Sequence, residues 1–370
     1  MKIVFICSSL WPGRDGVGDY CRRLSVELIK QGHGAGMIAL QERDIAMVVS
    51  GTQHLDGVDL PVLQIPEGMQ EKDAMVVGRE WVNELNPDWL SLQFVPFGYH
   101  PKGLRIGFSK FLLTLGGNRP WHIMFHELWV GMAVEESKKL IWWGRAQRRL
   151  IKSLVNNLYP RVMHTQTQLY VSLLQKLGFA AAYLPLFGNI PVSEVAAPRT
   201  SSTNQISFVV FGTIHSGAPI AQFARDAARY SQENNITVKL IFVGRCGGEQ
   251  ERWLAVWETT GLPVEVMGEL DAGAVSGILK NATMGLSATA IAVIEKSGSF
   301  AAMRDHGLPV ISVSKPWQPI GMPKMPIAAG IIEYREGNFE ACITGKIDMP
   351  GPVDISAVAA ELVQSLSAVS

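Results

Sequence analysis

The chain has 370 residues, 47% of them hydrophobic, and 33 Lys plus Arg balance 33 Asp plus Glu for a formal net charge of zero. That length exceeds what one core ordinarily serves and predicts two domains of roughly 150–200 residues each. The balanced charge excludes a globally basic nucleic-acid binder and leaves function to local sites.

Ile3-Val4-Phe5-Ile6-Cys7 reads as a strand buried on both faces. Residues 3–10 are largely apolar, but Trp11-Pro12-Gly13 ends the run well short of the ~18 residues a bilayer requires, and no small-residue cleavage site follows. A glycine turn comes next, then helical apolar spacing over Asp19–Gln31. Strands are predicted at Gly36–Leu40, Trp89–Phe94 and His122–Phe125, with a helix at Asp73–Leu85. Such alternation predicts a parallel, doubly wound sheet with ligands outside the carboxyl ends of its strands.

Asn189-Ile190-Pro191 and the polar stretch Pro198–Gln205 read as a break and a linker, dividing the chain into domains 1–190 and 191–370. The second series runs through strand Ile206–Phe211, helix Ala218–Asn234, strand Ile236–Val243 and helix Glu249–Thr260. Val264–Gly268 and Met284–Ser287 continue the pattern, and Ile355–Leu366 is an amphipathic helix. Cys7, Cys21, Cys246 and Cys342 lack metal-ligand spacing and are expected as buried thiols. With no run of about 18 apolar residues, a soluble, cytoplasmic protein is expected.

The segment Ser287–Ser312 carries the strongest chemical signal. It passes from an apolar strand to Glu295-Lys296, then Ser297-Gly298-Ser299, a helix ending at Gly307 and the strand Val310-Ile311. Small residues at a helix start leave N–H groups that, with the helix dipole and Lys296, form an anion site suited to phosphate. Lys296 equally fits a solvated loop lysine. Arg245, at a strand's carboxyl end before Gly247-Gly248, is a second candidate cation.

In the N-terminal half, Gly16, Val17, Gly18 and Asp19 form a loop whose missing Cβ atoms allow positive φ and close approach of a diphosphate or sugar; a plain tight turn is the alternative. A nicotinamide fingerprint is incomplete, since position 21 is Cys21, and no P-loop motif occurs. His126, after its strand, has a pKa range suited to proton transfer, and Glu127 is placed to orient it or receive an acceptor proton; a core histidine beside a surface glutamate fits equally. Gln93, Phe97 and Tyr99 suit a sugar-acceptor pocket or a hydrophobic cover for the sheet. Glu135–Asn156 sets Lys138, Lys139, Trp142, Trp143, Arg145, Arg148, Arg149 and Lys152 at helical spacing, matching either a solvated face or peripheral contact with an anionic inner membrane face.

The opening Ser8–Leu24, with Gly13, Gly16 and Gly18, resembles the N-terminal glycine loop of GT-B glycosyltransferases, especially family 4. Val266-Met267-Gly268-Glu269-Leu270 and Gly307-Leu308-Pro309-Val310-Ile311 resemble later segments of the same pattern, so the likeness spans the chain. The resemblance implies an α/β fold of two Rossmann-like domains facing across a cleft, with the C-terminal helix able to pack back on the N-terminal domain. It further implies a nucleotide-sugar co-substrate held by the C-terminal half, a glycan or lipid-linked glycan acceptor on the N-terminal half, retention, and neither metal nor further cofactor. Gly212 and Thr213 fall at the family's donor loop, and His126 where members often hold a histidine near the donor sugar.

The chain departs from that pattern at three points. Ala302 stands where the family has the later of two glutamates, and Ile294 falls at the earlier position, with Glu295 one residue on. Phe211–Gly217 also lacks the usual Arg and Lys, so Lys296, Arg245 and the N–H groups of Ser297–Ser299 are expected to compensate the donor diphosphate. A sugar-nucleotide epimerase and a degenerate sugar-binding partner remain alternatives to a transferase.

Overall fold

A computed structural model describes residues 1–13, 15–193, 204–323 and 325–369. The chain forms two compact units, one of Met1–Pro185 with Asp354–Ser370, the other of Leu186–Val353. The division therefore falls at Pro185 rather than 190, and the chain from Asp354 belongs to the first unit. Most of the predicted linker Pro198–Gln205 lies outside the described residues.

The first unit is built on strands β1 (Lys2–Cys7), β2 (Gly34–Glu42), β3 (Val49–Leu55), β4 (Val58–Pro66), β5 (Trp89–Phe94), β6 (Trp121–Phe125), β7 (Val162–Thr165) and β8 (Ala182–Tyr183). Their order is β3-β4-β2-β1-β5-β6-β7-β8, with β3–β4 antiparallel and the other neighbours parallel. β1 and β5 are buried on both faces, as central parallel strands require. The β3–β4 hairpin closes through Asp56 and Gly57, both at positive φ, which suits the right-handed twist of a two-residue hairpin turn. Helices α1 (Gly16–Lys30), α2 (Glu71–Leu85), α3 (Pro96–Tyr99), α4 (Phe108–Gly116), α5 (Lys138–Leu158) and α6 (Gln168–Lys176) accompany the sheet.

The second unit holds β9 (Gln205–Phe211), β10 (Thr237–Val243), β11 (Val264–Val266), β12 (Met284–Ser287), β13 (Val310–Ser312) and β14 (Ile331–Glu333), all parallel in the order β11-β10-β9-β12-β13-β14. Helices α7 (Ile220–Asn234), α8 (Glu249–Glu258), α9 (Ala272–Asn281), α10 (Gly298–Asp305) and α11 (Phe339–Thr344) pack with it, and a 3-10 turn spans Ile291–Lys296. Successive β9 side chains serve opposite cores: Phe208 joins Phe223, Trp257 and Phe339, whereas Val209 joins Ile294, Phe300 and Met303.

One ion pair ties both ends of this unit to α10. The Asp305 carboxylate accepts from Gly188 N (2.6 Å), Val353 N (3.1 Å) and Arg304 Nη2 (2.7 Å), while Arg304 Nη2 also donates to Leu186 O at 2.7 Å. Both side chains are only 9% exposed. The last helix, α12 (Ile355–Ser367), packs against α1 in the first unit, where Gln31 Nε2 donates to Ser356 O and Oγ. All four cysteines are buried and free, and no helix among the described residues is long and apolar enough to cross a membrane.

Candidate functional site

At the carboxyl edge of the second sheet, turns from three elements meet. Gly212, directly after β9, has φ +75°, and a Cβ there would lie 3.6 Å from Ser299 Cβ. Gly247 similarly approaches Thr213, and Ile214 N donates to Cys246 O, drawing the loops after β9 and β10 together. Ser297 caps α10 by accepting from Phe300 N at 3.3 Å, and its Oγ lies 3.0 Å from Ser299 Oγ. The first-turn N–H groups of Gly298 and Ser299 have no intrahelical acceptor by the geometry of any helix start. Glu295 and Lys296, both half-buried, end the 3-10 turn immediately before them. Gly212, Thr213, Glu295, Lys296, Ser297, Gly298 and Ser299 thus belong to one edge of one unit.

The departures from the family pattern have packing causes. Ile294 is fully buried in a core cluster, leaving Glu295 the more accessible of the two. Ala302 is also fully buried, and a Cβ on Gly188 would lie 3.0 Å from its Cα. Gly188 therefore packs directly against the α10 backbone at Ala302.

Arg245 differs from its expected role as an uncommitted cation. Its Nε and Nη2 donate to the two carboxylate oxygens of Glu269 at 2.7 and 2.8 Å, in an exposed pair whose hydrogen bonding raises the guanidinium pKa. Glu269 already offsets its charge, so a phosphate would have to compete for the fork. The sequence reading missed Lys315, three residues after β13: a Cβ on Gly217 would meet its Cδ at 3.1 Å, which sets this exposed cation against the loop following β9. Nothing near position 211 in the sequence signals a lysine contributed from beyond β13.

The N-terminal loop is more self-contained than its glycines imply. Asp15 Oδ1 accepts from Val17 N (2.9 Å) and Gly18 N (2.8 Å), so a side chain already fills the place an anion would take at the start of α1. Burial raises the Asp15 pKa against the pull of those two bonds. Asp19 accepts from Gly13 N and pairs with Arg22 at 2.6 Å. Among the described loop glycines only Gly13 has positive φ; a Cβ on Gly16 would meet nothing within 4 Å, and one on Gly18 would lie 2.6 Å from Ser9 O. Gly18 therefore packs against the Ser9-Leu10 backbone just after β1, and Asp15 and Asp19 close the turn with hydrogen bonds of their own.

His126 lies in a buried polar chain across β5, β6 and β7. Its Nε2 is 2.9 Å from Gln93 Oε1 and its Nδ1 3.1 Å from the Gln166 amide. Gln93 Nε2 donates to Ser91 Oγ (2.7 Å), Ser91 Oγ meets His122 Nδ1 (2.7 Å), and His122 Nε2 meets His164 Nδ1 (3.0 Å). With every ring neutral, His126 Nε2 donates to Gln93 Oε1, while the Ser91 hydroxyl, which can accept twice, lets the His122–His164 hydrogens run either way. His126 Nδ1 must then accept, so Gln166 turns its Nε2 toward it, which also gives a partner to a nitrogen otherwise unpaired when the amide faces the other way. Burial pushes the His164 pKa down to about 4, and burial reinforced by His164 and His126 holds His122 well below the usual imidazole range.

These bonds revise two expectations. Gln93 and Tyr99 do not reach out to an acceptor: Gln93 is consumed by the chain, and the Tyr99 hydroxyl lies 2.9 Å from both Ile6 O and Gln93 O. His126, 6% exposed, has both nitrogens engaged and would have to give up an amide to carry a proton. Glu127, beside it, is half-buried. No group of three His, Cys, Asp or Glu among the described residues is placed to hold a metal ion.

No protein-family model and no curated protein matches this sequence. Solved structures do. HepE from Anabaena in complex with UDP-glucose is 14% identical, with TM-score 0.64 over 100% of both chains. The catalytic domain of starch synthase IV from Arabidopsis thaliana, bound to ADP and acarbose, is 11% identical, with TM-score 0.59 over 100% of this chain and 99% of that one. A putative UDP-N-acetylglucosamine 2-epimerase from Listeria monocytogenes is 11% identical, with TM-score 0.51 over 99% and 88%. The likeness establishes the fold: this chain has the two-domain α/β fold of the GT-B glycosyltransferases.

Proposed function

We propose that this chain is a glycosyltransferase that moves a sugar from a nucleotide-sugar to a hydroxyl of a glycan or lipid-linked glycan, with retention and without an obligatory metal. The observation that carries the reading is the convergence of Gly212 and Thr213 with the α10 start, Ser297–Ser299, beside Lys296 at the carboxyl edge of the second sheet. The nucleotides bound to HepE and starch synthase IV support a nucleoside diphosphate as its guest.

In the transfer, the bond from the anomeric carbon to the phosphate oxygen breaks, the acceptor oxygen takes its place, and the acceptor's proton leaves with the nucleoside diphosphate. The departing diphosphate gains negative charge, which the N–H groups of Gly298 and Ser299, Lys296 and Lys315 oppose more strongly than in the bound donor. Arg245 contributes only at the rim, because Glu269 holds it. Glu127 is the carboxylate that orients an acceptor hydroxyl, and His126 beside it stays neutral, its ring fixed by Gln93 and Gln166.

On α5, Trp142 is 63% exposed with the Arg145 guanidinium 4.5 Å over its ring, and Lys138, Lys139, Arg149 and Lys152 are exposed with it. This cationic, aromatic face supports a cytoplasmic enzyme resting peripherally on an anionic membrane. Sedimentation with acidic liposomes at low salt is the check: co-sedimentation lost on replacing Trp142 and Arg145 is expected, and no binding refutes the contact.

Product analysis with isotope-labelled nucleotide-sugars tests the activity. Label transferred to an acceptor supports the reading. The likeness to a putative epimerase supplies the second reading, which predicts an altered sugar still attached to its nucleotide.

A further inference from the structure

A cavity of about 450 Å³ opens in the first unit near the ends of β2 and β4 and the start of α2, and the loop between α3 and α4 forms another wall. Its volume is in the range of small-molecule sites, and the carboxyl edge of an open α/β sheet is where such ligands lie. Gln41, Glu67, Glu71, His100, Leu104 and Ile106 are among its lining residues.

Its accessible polar groups are mostly acceptors that the protein leaves unused. Glu67 and Glu71 are both exposed, and each has one guanidinium nearby, Arg43 at 3.5 Å and Arg105 at 3.8 Å. Those separations exceed the ordinary hydrogen-bond length, so among the described residues neither carboxylate accepts a hydrogen bond from the protein. Gln41 spends its Nε2 on Leu40 O at 2.7 Å, which leaves Oε1 as a further acceptor. His100 supplies a donor: Nδ1 accepts from Lys102 N (3.0 Å) and Leu104 N (3.3 Å), so the ring's proton resides on Nε2.

The charges narrow the ligand. Each carboxylate is offset by its own guanidinium, so a cation finds no excess negative charge to compensate its desolvation. An anion would face carboxylate oxygens whose lone pairs call for donors. A neutral polyol supplies what is missing: its hydroxyls donate to Glu67 and Glu71, one of them accepts from His100 Nε2, and its C–H face rests against the apolar wall of Leu104 and Ile106.

We infer that this cavity is a subsite for an uncharged sugar unit of the acceptor, held through hydroxyls that donate to Glu67 and Glu71. The inference names the chemistry of the acceptor side of the proposed transferase and rests on that reading for its biological meaning. Its test is binding without turnover, so it can fail while transferase activity stands, and the reverse.

Ligand-observed NMR titration of the full chain with glucose, galactose and N-acetylglucosamine, against the charged sugars glucuronate and glucosamine, provides the test. At least one neutral sugar binds about threefold or more tighter than both charged ones. Glu67→Gln and Glu71→Gln, at exposed positions where the fold tolerates an amide, each weaken that sugar about three- to tenfold, because each replaces a charge-assisted hydrogen bond by a neutral one. Absence of binding by all three neutral sugars, a charged sugar that binds at least as tightly as the best of them, or affinity undiminished in either variant each overturns the inference.

Discussion

Replacing Gly16 and Gly18 separately by alanine distinguishes a loop built to pack from one built to admit a ligand. At Gly18 the new Cβ would lie 2.6 Å from Ser9 O and 3.3 Å from Leu10 Cα, both backbone atoms that cannot rotate away. Either α1 or the Ser9-Leu10 segment after β1 must shift, an overpacking cost of about 1–3 kcal/mol. For a domain of this size that is a fall in Tm of about 2–4 °C per kcal/mol. At Gly16 a Cβ meets nothing within 4 Å and φ is not positive, so alanine is expected to stabilise by roughly 0.4–1 kcal/mol, through loss of unfolded-chain freedom. Urea unfolding followed by tryptophan fluorescence measures both, and titration of the same variants with nucleotide-sugar measures affinity. Equal destabilisation by the two substitutions would refute the packing argument. A Gly16→Ala variant of full stability but reduced nucleotide-sugar affinity would refute the account of the loop as closed by Asp15.

Asp305→Ala strands the buried Arg304 and frees Gly188 N and Val353 N, so urea unfolding of the second unit should register a loss of about 3–5 kcal/mol. His164 and His122 are neutral in the folded chain because burial depresses their pKa values, whereas in the unfolded chain they protonate near the ordinary 6.5. Stability is therefore complete above about pH 6.5 and declines as pH falls toward 4, by roughly 3 kcal/mol for His164 alone. His164→Gln, whose amide can still hydrogen-bond to His122 but does not titrate, should flatten this pH dependence of the urea midpoint; an unchanged slope contradicts the assignment. Glu269→Gln releases the Arg245 fork and should raise nucleotide-sugar affinity modestly, by about two- to fivefold in a titration, if Arg245 lies at the donor rim.

The parallel sheets were legible because their central strands are largely apolar: Ile3–Cys7 is an unbroken apolar run, and Trp89–Phe94 and Ile206–Phe211 are interrupted only by Ser91, Gln93 and Ser207. The β3–β4 hairpin was not, since Val49–Leu55 is a mostly exposed, polar edge strand with no apolar alternation to read. The start of α10 was legible from Ser-Gly-Ser, a local capping signal. Contacts between segments distant in sequence were not: Lys315 reaches Gly217 across intervening strands, and Gly188 fills the space beside Ala302. The same limit explains Gln93 and Tyr99, whose residue types suit sugar binding but whose hydrogen bonds are spent on Ser91, His126 and strand carbonyls.

The central claim is that the edge formed by Gly212, Lys296 and Ser297–Ser299 holds a nucleotide-sugar donor for transfer. Its most direct measurement is transfer of labelled sugar from a panel of nucleotide-sugars to glycan acceptors, by the wild-type chain and by Lys296→Ala. The account predicts a labelled, extended acceptor with the wild type and about a hundredfold less of it with Lys296→Ala, the loss expected for one charged group that stabilises the departing diphosphate. Label that stays on its nucleotide throughout the panel, or transfer undiminished in Lys296→Ala, would contradict it.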